Sequence, residues 1–152
     1  MPFGCELGFT RSLHGVEPIP DDWEVGLAES AFDISDYIGR VNAMKAQTPV
    51  LNEKGRQERV TSPDEPLVGL LRRGEDTDQR GLVLINPDPE QAQGFDPAAI
   101  TGPLGAAAED IHEITPAATA DGADADAEAD ALARYEAGLK VAPRSIRVLV
   151  AG

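Results

Sequence analysis

The sequence predicts a mixed α and β protein: the terminal strand-loop-helix unit of a (β/α) barrel over residues 1–55, followed by a C-terminal antiparallel β-sandwich over 56–152. This expectation rests on a change of texture near Thr48-Pro49. Before that point the chain carries one apolar segment and one helix with a 3.6-residue period. After it come short segments rich in branched apolar residues and bounded by turn formers, the pattern of antiparallel strands. A complete eight-stranded barrel takes roughly 250 residues, so a single barrel unit has to be completed by chain outside this sequence.

The opening segment, MPFGCELGF over 1–9, mixes apolar positions with Gly4 and Gly8, as expected where a short buried strand runs into a loop. From Thr10 to Ala31 the prolines Pro18 and Pro20 and the polar Asp21-Asp22-Trp23-Glu24 break any period, which predicts irregular chain anchored by Trp23. A helix is predicted to start at Asp33, an N-cap residue with Asp36 three positions on at the positive end of the helix dipole. Ile34, Tyr37, Ile38, Val41 and Met44 then fall on one stripe of that helix, a face that needs a partner to cover it. Pro49 ends the helix, because Thr48 before it is pushed out of the helical region.

Beyond the polar stretch Asn52 to Asp64, the runs LVGLLRR over 67–73 and GLVLIN over 81–86 read as an antiparallel hairpin closed by the solvated turn 74–80. Asn86-Pro87-Asp88-Pro89 stops the second strand. Weaker strands are expected near Ala98 to Leu104 and Glu109 to Ile114, and a strong one over Ser145 to Val150. An Ala- and Asp-rich insertion occupies about 117–138, with a short helix expected near Ala129 to Ala137 before Gly138.

Lys and Arg number 13 against 27 Asp and Glu, a net charge of −14, which argues against nucleic acid and anionic membrane as partners. A single cysteine, Cys5, rules out an internal disulfide and a thiolate zinc site, and fits a reduced, cytoplasmic setting. The run Asp121, Asp124, Asp126, Glu128, Asp130 offers oxygen ligands of the kind calcium takes, yet it lacks the glycine and spacing of an EF-hand and reads as a solvated linker. His14 and His112 stand far apart, without metal-ligand spacing, and Cys5 has only Glu6 as a charged neighbour, which does not activate a thiol. No phosphate-binding glycine loop is present. No metal and no cofactor is therefore expected within this chain, and either histidine could serve as a base but is more often structural or exposed.

Taken in order, MPFGCELGF, PDDWE at 20–24, DISDYIGRVNAMKAQTPVLNEKG at 33–55, LVGLLRR, GLVLINPDPE and SIRVLVA resemble the end of an α-amylase superfamily enzyme, most like the bacterial maltose-1-phosphate maltosyltransferase group. The resemblance covers most of the chain outside about 115–138. It implies that the parent enzyme transfers a maltosyl unit from maltose-1-phosphate to an α-1,4-glucan with retention, through a covalent glycosyl-enzyme intermediate. Such chemistry needs two carboxylates about 5–5.5 Å apart, and in that family they lie on barrel strands absent from this sequence. Glu6 and Phe9, at the end of the matching last strand, are implied to be substrate-side neighbours at most. The chain alone is then a structural, inactive part, joined to the missing barrel in cis or in trans. Noncatalytic carbohydrate binding, or docking onto a separate barrel chain through the Ile34, Tyr37, Ile38, Val41, Met44 stripe, is the alternative. The scarcity of exposed aromatic residues weighs against a dedicated sugar platform.

Overall fold

A computed structural model of the chain describes residues 7–8, 20–116 and 138–152. The chain divides into two compact units, 1–43 and 44–152. The Ala/Asp-rich insertion, with its expected short helix, lies outside the described residues.

In the first unit, helix α1 spans Pro20–Ala28, where the sequence predicts irregular chain. A signal for it is present in hindsight. Proline is tolerated at the first helical position, where its missing N–H would have no partner, which lets the helix begin at Pro20. Helix α2 runs over Ser35–Gln47, across the division between the units. Asp33 accepts a hydrogen bond from the Ser35 N–H at 2.8 Å. The hydroxyl and then the backbone N–H of Ser35 hold its carboxyl below the ordinary value. Thr48 is extended (φ −118°, ψ 97°), so α2 stops one residue before it, as a residue preceding proline requires.

The second unit is built on a five-stranded antiparallel sheet in the order β1-β2-β3-β7-β5, with β1 at Gly55–Arg59, β2 at Val68–Gly74, β3 at Arg80–Asn86, β5 at Ile111–Glu113 and β7 at Ser145–Ala151. The β2–β3 hairpin is the one the sequence predicts, with Leu71 opposite Leu82 and Val68 opposite Ile85. A second sheet pairs β4 (Gln93–Phe95) with β6 (Leu139–Val141). Helix α3 occupies Pro97–Leu104, where a strand is expected from Ala98 onward. Asp96 supplies the reason: its side chain accepts from the Ala98 N–H, Pro97 takes the first helical position, and Gly105 ends the helix in the left-handed conformation (φ 65°). β1 was not expected either, because Gly-Arg-Gln-Glu-Arg has no apolar residue to mark a buried face.

One core joins these parts. Leu71, Leu82, Leu84 and Leu149 from the larger sheet meet Phe95, Leu139 and Val141 from the smaller one and Ile100 and Leu104 from α3. Burial of side chains of this size stabilises by about 1.5–3 kcal/mol each, which makes this layer the main source of the unit's stability. On the opposite face the 3-10 turn Pro49–Leu51 lays the fully buried Val50 over Gly81, where a Cβ would meet its Cγ1 at 3.3 Å. Arg72 fixes that turn by donating to the carbonyls of Val50 and Glu53.

Candidate functional site

The described part of the second unit contains a pocket of about 530 Å³ at one end of the larger sheet. Strand pairing explains how distant residues meet there: Arg80 opens β3 opposite Ala151 of β7, and Ala151 in turn faces Ile111 of β5. Asp78 precedes β3 in the hairpin turn, Asp110 closes the 3-10 turn Ala108–Asp110 just before β5, and His112 follows Ile111 on that edge strand. The C-terminal turn of α3 supplies Leu104, with Gly105, Ala106 and Ala107 following it.

Arg80 organises the pocket. Its Nη1 donates to the Pro103 carbonyl at 3.3 Å, beside the negative end of the α3 dipole. Its guanidinium also covers Gly105, where a Cβ would run into Nη1. The other donors of its five-N–H fork extend the lining's hydrogen-bonding capacity. Asp78, Asp110 and His112 are exposed and Arg80 is half-buried, while Leu104 and Ala151 are buried. The arrangement offers acceptors, donors and a small-residue floor within one concavity.

A second polar centre is structural. Asn86 is 1% exposed and its Nδ2 donates to the carbonyls of Gln91, Val141 and Ala142 at 2.8–3.0 Å, while Oδ1 accepts from the Asp88 N–H at 3.0 Å. Asp88 accepts from the N–H groups of Glu90 and Gln91 at 2.8 Å, and these bonds hold its carboxyl below the ordinary range. Every polar atom of Asn86 faces backbone, which leaves it no capacity for a ligand.

Of the residues singled out from sequence, Glu6 and Phe9 lie outside the described residues, as do Cys5, His14 and the acidic run from Asp121 to Asp130. The helix stripe is on α2: Ile34 just before it is 41% exposed, Tyr37, Ile38, Val41 and Met44 are half-buried, and none of the helix residues is buried. The Arg40 guanidinium lies over the Tyr37 ring, 5.8 Å from its centroid. His112 is exposed on β5. Among the described residues no group of three or more His, Cys, Asp or Glu side chains is arranged to hold a metal ion. No helix among them is long and apolar enough to cross a membrane. The pocket residues Asp78, Arg80 and Asp110 carried no signal in the sequence, since only strand register brings positions thirty apart together.

No protein-family model matches the sequence, and no solved structure matches it. Among curated proteins the chain is similar to the alpha-1,4-glucan:maltose-1-phosphate maltosyltransferase of Burkholderia pseudomallei (strain K96243), at 33% identity over 103 residues. The match covers 65% of this chain and 9% of that protein, so the chain spans a small fraction of the length of the curated relative it matches. The relative carries the same enzyme name that the ordered segments of the sequence resemble, and it supports a relationship to the maltosyltransferases.

Proposed function

We propose that this chain is the C-terminal, noncatalytic part of an α-glucan-active glycosyltransferase whose complete form moves a maltosyl unit from maltose-1-phosphate to the non-reducing end of an α-1,4-glucan. The observation that carries the reading is the 33% identity over 103 residues with a maltosyltransferase of which those residues are 9%. In this reading residues 1–55 form the last strand, loop and helix of the barrel, with Glu6 and Phe9 on the substrate side. Residues 56–152 form the β-sandwich that buttresses it, the larger and smaller sheets being its two layers.

The complete reaction is a double displacement. A carboxylate on the barrel attacks the anomeric carbon, the bond to the phosphate oxygen breaks, and phosphate leaves. The 4-hydroxyl of the acceptor then displaces the carboxylate, while the second carboxyl group, left ionised after protonating the departing phosphate, takes its proton. Both carboxylates belong to chain outside these 152 residues, so the part described here contributes support.

Val25, Leu27, Phe32 and Ile34, between 36% and 52% exposed, lend weight to an incomplete first unit. Residues of this size are normally covered, and clustered apolar exposure marks an interaction surface. The test is maltosyl transfer, followed as phosphate release from maltose-1-phosphate with an α-1,4-glucan acceptor. The 152-residue chain should release none, and the same chain continuous with, or mixed with, a barrel bearing the two carboxylates should be active. Transfer by the isolated chain would overturn the reading.

A further inference from the structure

We draw no further inference here: the strongest candidate, the apolar face of the larger sheet turned away from the core, where the half-buried Val68, Leu70, Val83 and Ile85 adjoin the exposed Ile146, carries nothing because nothing among the described residues shows what covers it.

Discussion

Gly105 shows how one backbone angle shapes the pocket. Its φ of 65° lies in the left-handed region, and its missing Cβ makes room for the Arg80 guanidinium. Gly105→Ala should therefore destabilise the chain by about 1–2 kcal/mol, the cost of a left-handed L-residue, read as a lower urea midpoint. Displacement of Arg80 adds little, because the atom in the way is the tip of a flexible side chain. A midpoint equal to that of the wild type would mean that the turn after α3 is not left-handed. Asp88 makes a prediction of opposite dependence. The Glu90 and Gln91 N–H groups lower its folded-state pKa below the ordinary 3.8, so its contribution is present above that value and disappears as pH falls through the lowered one. Asn at this position still accepts those bonds but does not titrate. Asp88→Asn should thus lower the urea midpoint at pH 6, by an amount that shrinks as the pH falls below 3.8 and through the lowered value. A difference as large at pH 3 as at pH 6 would place the effect of the substitution elsewhere.

At the level of strands and helices, Asn86 is where β3, the loop after it and β6 are tied together. Asn86→Ala should cost about 2–4 kcal/mol, since it leaves buried carbonyls of separate segments without donors and each unpaired group costs about 1–3 kcal/mol. Asn86→Asp should be worse at neutral pH, because a carboxylate oxygen would replace the donor facing those carbonyls, and should recover in part at low pH, where a protonated acid donates again. Urea unfolding of both variants at pH 7 and pH 4 checks this ordering. The elements that Asn86 joins differed in how openly the sequence displays them. β2, β3 and β7 are plain, because Leu, Val and Ile fill the faces that they bury. β1 hides because it is an edge strand whose exposed Arg and Glu side chains follow no apolar alternation. α3 reads as a strand from Ile100 and Thr101 alone, and only its ends, Asp96-Pro97 and Gly105, disclose a helix. Three-residue β4 and β6 are too short for a period, and their pairing is fixed by the core that Phe95, Leu139 and Val141 enter. The pocket was least legible of all, since it exists only once β3, β5 and β7 are in register.

For the molecule as a whole, the two units differ in how far each completes its own interior. The second carries a continuous core from both sheets and α3, whereas the first leaves Val25, Leu27, Phe32 and Ile34 substantially exposed within ten positions. Covering such side chains is worth about 1.5–3 kcal/mol apiece, so a partner that buries all four gains enough to stabilise an otherwise marginal segment. A net charge of −14 keeps separate copies of the chain apart at low salt without hiding the patch, and that repulsion is screened within about 10 Å at 0.1 M salt. The isolated chain should therefore bind a neutral apolar dye such as Nile red and self-associate increasingly as salt rises. An anionic dye would understate the surface through repulsion. Val25→Thr combined with Leu27→Gln, both on α1, should reduce dye fluorescence and raise the salt concentration at which association begins, without changing the unfolding of the second unit. If the double variant binds dye as the wild type does, the exposed surface lies elsewhere and residues 25–34 are not the face awaiting a partner. If dye is displaced when a barrel-bearing chain is added, the same residues become the junction through which this chain and the proposed barrel stabilise each other.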